Sequence, residues 1–264
     1  MLNKATAKTI IKSAEYNENM EAVEDGWIPA GETWTYASAD APTYIFTITG
    51  DKTSNYSAGM KIKLTQPTDG VKYGIITKVA YSAPNTTITI YMGTDYDLDN
   101  EAITSPYYSL VKAPHGFPLD PDKWTVEVTD ANNRTQANAA NGTWYNIDAS
   151  HKINVPIGIW EVGYIAYPLV EEQSLRYVSV MLTLSKANNT QDDNEFSTIA
   201  QNRAEIGANF LRAGGSLTTR KNLNLSTKDT YYLNAMSSWI GGDDDIIING
   251  SVITTRIWAI CAYL

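Results

Sequence analysis

The chain has 264 residues, 43% of them hydrophobic and 19% charged, with 29 acidic against 20 basic side chains. That is apolar material for one large or two small cores, which excludes wholesale disorder. No apolar run approaches the roughly 20 residues of a membrane-spanning helix, and a net charge of −9 excludes the basic stripe that neutralises phosphates. Neither a membrane nor nucleic acid is an expected partner.

Charge is spread unevenly: residues 1–130 carry 17 acids and 10 bases, and residues 131–264 carry 12 and 10. Two units with different surfaces would give that split. Met1-Leu2-Asn3-Lys4 lacks the charged-then-apolar pattern of a secretory signal, so synthesis in a reducing cytoplasm is expected. The single cysteine, Cys261, has no disulfide partner and reads as a buried, inert thiol.

Residues 2–23 are rich in Ala, Lys, Glu and Met, all good helix formers. Ile10, Ile11 and Ala14, then Met20 and Val23, form an imperfect helical stripe that Asp25-Gly26 ends. Residues 1–25 are therefore expected as an N-terminal helical anchor, with Leu2, Ile10, Ile11 and Ala14 as its assembly face. Such a helix packs on the chain's own next domain, on copies of itself, or on a larger particle.

Beyond Gly26 the texture is β. Residues 33–38, 43–49, 60–66, 74–82 and 86–91 are runs of Thr, Ile, Val and Tyr with two-residue alternation. Turn clusters separate them, among them Gly50-Asp51-Lys52-Thr53 and Pro67-Thr68-Asp69-Gly70. Residues 26–113 are expected as a small antiparallel barrel or sandwich, with 95–106 as a long acidic loop. Pro114, Gly116, Pro118 and Pro121, then Asp130-Ala131-Asn132-Asn133, mark residues 114–141 as a connector around one short strand at 124–128.

Residues 142–264 hold eight further candidate strands: 153–155, 158–169, 175–185, 211–217, 221–225, 230–237, 246–248 and 251–263. Eight strands in about 120 residues are what a jelly roll needs. The strand at 158–169 is apolar on both faces, which predicts burial on both sides. The apolar last strand is expected to be held as a central strand facing a symmetry axis.

Little in the chain can do chemistry. His115 and His151 are the two histidines, and neither has a nucleophile or acid at motif spacing. There is no Gly-x-Ser-x-Gly elbow, phosphate loop or zinc spacing. Glu171-Glu172 and Asp192-Asp193 are adjacent acids that read as solvated neighbours rather than as a glycosidase pair. Gly241-Gly242-Asp243-Asp244-Asp245 reads as a hairpin tip; its carboxylates are the alternative for calcium but lack the spacing of an EF-hand. Trp239 before it, with Asp243, Asp244 and Asp245, is the candidate for stacking on and hydrogen-bonding a sugar. No cofactor and no metal are expected. Tyr and Trp, at 17 and 7, outnumber the 4 Phe, a bias toward surfaces that recognise others.

The run from Gly26-Trp27-Ile28-Pro29-Ala30-Gly31-Glu32-Thr33-Trp34 through Tyr56-Ser57-Ala58-Gly59-Met60, with Gly116-Phe117-Pro118-Leu119-Asp120-Pro121, resembles a module of tailed-bacteriophage virion proteins. The segments Pro156-Ile157-Gly158-Ile159-Trp160 and Arg256-Ile257-Trp258-Ala259-Ile260-Cys261-Ala262-Tyr263-Leu264 are similar to C-terminal jelly-roll (TNF/C1q-like) knobs of phage fibres and baseplates. The resemblance implies a non-enzymatic virion component, commonly a homotrimer, joined to other virion proteins through its N-terminus and turned toward a bacterial surface. Its expected trimer core is Trp160, Tyr164, Trp258, Ile260 and Tyr263. One function that follows is recognition of host cell-wall saccharide; the alternative is a head fibre or capsid decoration with a purely structural role.

Overall fold

The computed structural model describes residues 20, 24–93, 98–172, 177–202, 211–239 and 244–264. These residues are mainly antiparallel β. Helix among them is confined to positions 20, 24 and 25 and to 3-10 turns at Pro121–Trp124 and Asn194–Phe196. Leu2, Ile10, Ile11 and Ala14 lie outside the described residues, so the anchor helix expected over 1–25 has no support here.

The chain forms two compact units. Met1–Thr125, Pro156–Ile159 and Tyr263–Leu264 make the first; Val126–Val155 and Trp160–Ala262 make the second. The stretch 114–141, expected as a connector around one short strand at 124–128, carries that strand at Thr125–Asp130 and a second one at Asn133–Ala139. Its Pro and Asn punctuation marks corners rather than a linker.

The first unit holds β1 (Ile28–Pro29), β2 (Thr35–Asp40), β3 (Thr43–Thr49), β4 (Lys61–Gln66), β5 (Gly70–Ser82), β6 (Asn85–Tyr91) and β7 (Thr104–Ser109). They pair in the order β1-β7-β4-β5-β6-β3-β2. β7 begins inside the stretch expected to be loop. Alternation builds the core: Tyr44, Phe46 and Ile48, Ile62 and Leu64, and Ile88 and Ile90 are all buried. Each such side chain contributes about 1.5–3 kcal/mol by leaving water. The β4–β5 turn closes on Gly70 at φ +72°, where a side chain would be strained. Trp34, beside β2, and Tyr108, on β7, both set ring edges against Tyr56 at 5.4 Å, so the sheet curls until its outer strands meet through aromatics.

The second unit holds β8 (Thr125–Asp130), β9 (Asn133–Ala139), β10 (Trp144–Tyr145), β11 (Lys152–Val155), β12 (Gly158–Ala166), β13 (Pro168–Glu172) and β14 (Val178–Ser185). It continues with β15 (Thr198–Asn202), β16 (Leu211–Gly214), β17 (Leu217–Leu225), β18 (Asp229–Trp239), β19 (Asp244–Asn249) and β20 (Thr255–Cys261). Several follow one another in line and act as one row. β17-β12-β20-β8 is one ladder and β16-β13-β19-β9 another, and each member of the second continues, across a short break, a member of the first. The breaks fall at 131–132, 167, 215–216 and 250–254, so all four rows bend at one level. Gly250 is required there: a Cβ would come within 2.4 Å of the Asn132 carbonyl oxygen.

In chain order the rows are β8/β9, β10/β11, β12/β13, β14, β15, β16/β17, β18 and β19/β20. The first sheet therefore runs row one, eight, three, six, and the second runs two, seven, four, five. Trp160, Val162, Tyr164 and Ala166 point inward from β12 toward Val180, Leu182, Leu184, Leu233 and Ala235. The Tyr164 hydroxyl ties the sheets, donating to the carbonyl oxygens of Leu182 at 3.0 Å and Phe196 at 3.1 Å and sharing a hydrogen bond with Thr198 Oγ1 at 2.6 Å. Only one face of β12 is fully buried, since Ile159, Glu161 and Ile165 remain half-exposed. The strand buried on both faces is β14. Its Thr183 and Ser185 lie under the 186–197 loop, hydrogen-bonded to Ser197 and Thr190.

Candidate functional site

On the second unit, β12 and β17 enclose a shallow depression of about 170 Å³ lined by Glu161, Arg220, Lys221 and Asn222. Strand alternation turns Glu161 outward while Trp160 and Val162 enter the core. Arg220 Nη1 lies 3.2 Å from Glu161 Oε1. Lys221 Nζ donates to Asp193 Oδ2 at 2.6 Å, pairs with Glu195, and stands 5.8 Å from the centre of the Phe196 ring. Hydrogen bonds to Asp193 and Glu195 raise the Lys221 amine above its ordinary range. Burial pushes Asp193 up, but the bonds from Lys221 and from Glu195 N outweigh it and hold the carboxyl low. The depression thus presents fixed acceptors, donors and an amide, the complement a hydroxyl-rich ligand meets with hydrogen bonds.

Beside it, Trp258 and Ile260 are half-buried on the outward face of β20, whose Ile257, Ala259 and Cys261 point into the core. Trp258 lies opposite Gly163 on β12. A Cβ on Gly163 would come within 2.7 Å of the indole, so the glycine makes room for that ring. Arg256 stacks 5.5 Å from the Trp258 ring and pairs with Glu127 at 2.6 Å.

The residues expected from sequence fall elsewhere. Trp239 ends β18 and Asp244 opens β19, but their side chains, like the whole of Asp243, lie outside the described set. Asp245 is exposed, and its Oδ1 accepts from Asn138 N at 3.1 Å, so it fastens a strand edge. Among the described residues no group of three or more His, Cys, Asp or Glu is arranged to hold a metal.

Of the expected trimer core, Trp160 and Tyr164 are fully enclosed by their own chain and have no surface to offer a partner. Trp258 and Ile260 do face outward. Tyr263 belongs to the first unit, where its ring covers Gly59 and its carbonyl accepts from the buried Lys61 amine at 2.5 Å. The last strand needs no sister copy for cover, because β20 runs between β12 and β8 of its own chain.

The histidines are structural. His115 is exposed, with its N–H donating to Asp25 O and its carbonyl accepting from Trp27 Nε1 at 2.7 Å. His151 is buried, 3.1 Å from Asp130. Asp192 and Asp193 both bind backbone N–H groups, of Lys186 and Glu195, which uses them as turn caps. Trp27, Trp34, Trp124 and Trp160 are all buried, so much of the Trp bias supplies cores rather than recognition surface. Sequence reading missed Glu161, Arg220, Lys221 and Asn222; alternation around Trp160 and Val162 was the available signal for Glu161.

No family model matches the chain, and no curated protein matches it. Solved structures that it is similar to include the infectious bursal disease virus VP2 subviral particle, at 12% identity over 86% of this chain and 62% of that one, with a TM-score of 0.24. Another is infectious bursal disease virus Gt strain, at 13% identity over the same shares, with a TM-score of 0.26. The chain spans about 62% of the length of those two proteins. Overlays this loose carry no argument about fold or role, and the reading rests on the chain's own strand order and surface.

Proposed function

We propose that the second unit is a jelly roll and that the protein is a non-enzymatic structural component of a virus particle, a bacteriophage fibre or baseplate part that contacts host cell-wall saccharide. The observation that carries this is the row order: one-eight-three-six facing two-seven-four-five is the order in which an eight-strand double Greek key wraps. Jelly rolls recur in viral capsid and lectin domains, which is an analogy of fold and not of site. The chemistry of the surface agrees with it. The depression at Glu161, Arg220, Lys221 and Asn222 offers hydrogen bonds to hydroxyls.

A homotrimer is part of the proposal, with Trp258 and Ile260 on the contact face in place of Trp160 and Tyr164. Light scattering then gives three times the 29.1 kDa chain mass; a stable monomer removes the trimer. To test the role itself, particles from an infected lysate are banded on a density gradient and their proteins identified by mass spectrometry. The reading expects the chain at fixed stoichiometry in the particle band, and recovery only with soluble protein overturns it.

A further inference from the structure

Where β8 turns into β9, four charged or titratable side chains converge inside the second unit. Asp130 is buried at the end of β8. Its Oδ2 accepts from Arg134 Nε at 2.7 Å and lies 3.1 Å from His151 Nε2, while Oδ1 accepts from Asn132 N and Nδ2. Arg134 reaches on to Asp148 at 3.0 Å. Asp148 in turn holds the His151 loop through Ser150 N and Oγ, and its carbonyl accepts from His151 N at 2.9 Å. His151 O accepts from Leu233 N, which fastens the same loop to β18. One cluster therefore pins a strand corner, a loop and the opposite sheet.

A carboxylate only accepts, so His151 Nε2 must carry the proton it shares with Asp130. The neutral ring then presents a bare lone pair on Nδ1. Among the described residues no donor or acceptor reaches that atom, and the side chain is 1% exposed. An unmet acceptor is tolerable, whereas a protonated Nδ1–H would be a buried ionic donor with nothing to bind. The charges acting on the ring are Asp130 from β8 and Asp148 from its own loop, which favour a second proton, and Arg134 from β9, which opposes it.

We propose that this cluster is an acid-sensitive latch, in which a second proton, taken from solvent onto His151 Nδ1, opens the 130–134 corner and the 146–152 loop to water. Burial lowers the imidazole's proton affinity below its usual value, against the pull of the two carboxylates, so the latch stays shut at neutral pH. The closed form resists the proton and the open form accepts it near pH 6.5. The open population therefore grows about tenfold between pH 7.5 and 5.5.

Hydrogen exchange on the full chain, corrected for the intrinsic effect of pH, reads this directly. Exchange at 130–134 and 146–152 is expected to rise about tenfold between those pH values in the wild type and to stay level in His151→Gln, whose amide can still donate to Asp130. Equal protection at both pH values in the wild type, or the same rise in the variant, overturns the latch. Should His151→Gln not fold, ring-labelled histidine answers instead, since the chain has two histidines and His115→Asn assigns the signals. A His151 midpoint below 6.5 that coincides with loss of corner protection upholds the proposal. A midpoint at or above 6.5, or titration with the corner still protected, overturns it.

Discussion

The two units solve the same problem, closing antiparallel β around an apolar core, by opposite routes. In the first, β2–β3, β4–β5 and β5–β6 are neighbours in both chain and sheet, joined by short turns. In the second, row one pairs with row eight and row two with row seven, so the outer parts of the sequence are buried against each other. Local pairing leaves its signature in turn residues, whereas nested pairing leaves almost none. The units also tie themselves differently. The first curls through the rings of Trp34, Tyr56 and Tyr108; the second is tied by polar side chains that cross between sheets, Tyr164 above all.

The strongest way to break that comparison is to empty each core in turn. Trp34→Ala and Trp160→Ala each remove a buried indole and should cost about 3–5 kcal/mol. In native-state hydrogen exchange, the first should expose amides of β3, β4 and β6, and the second those of β12, β14 and β20. Uniform loss in both variants would contradict two separate cores.

Tyr164→Phe keeps the ring but strips the Leu182 and Phe196 carbonyls of a donor, at a cost of about 1–3 kcal/mol in urea unfolding. Gly163→Ala should cost a similar amount of about 1–3 kcal/mol, because its Cβ meets the Thr219 backbone oxygen at 2.5 Å. Gly74→Ala in the first unit should cost a similar amount of about 1–3 kcal/mol, because its Cβ meets Ile90 Cγ2 and Met92 Sδ at 2.5 Å in the core and the Tyr91 backbone oxygen at 3.1 Å.

Acid should sharpen the contrast. His151 has its proton affinity lowered in the fold, so its contribution is present above its ordinary 6.5 and fades as pH falls below that. Burial raises the Asp130 carboxyl, but bonds from Arg134, Asn132 and His151 outweigh this and hold it far below its ordinary 3.8, so its contribution is lost only below about that pH. Second-unit stability should drop in two steps, each with a slope of at most about 1.4 kcal/mol per pH unit for one proton. The smallest effect is Arg220→Ala: its exposed pair with Glu161 should be worth less than about 1 kcal/mol in thermal melts.

The same contrast explains what could be read from sequence. The strands of the first unit were legible because Tyr44-Ile45-Phe46-Thr47-Ile48 and Thr86-Thr87-Ile88-Thr89-Ile90 alternate between turn clusters. β8 was legible as the short strand at 124–128, but β9 was hidden because Asn132-Asn133 and the polar Arg134-Thr135-Gln136-Ala137-Asn138 resemble a linker until the partner row is known. Trp160 and Trp258 are equally apolar in the sequence, yet one faces the core and the other solvent. A single chain's pattern cannot say which side of a strand its partner sheet covers. Asp130 and Arg134 were likewise unremarkable until the fold brought His151 and Asp148 to them.

Gold-labelled antibody raised against the folded protein, applied to intact particles and viewed by electron microscopy, tests the central claim most directly. Label at a fixed place on the particle, whether tail tip or capsid shell, is the predicted result and tells attachment part from decoration. Particles that stay bare, while the same antibody binds the free protein, would contradict the account.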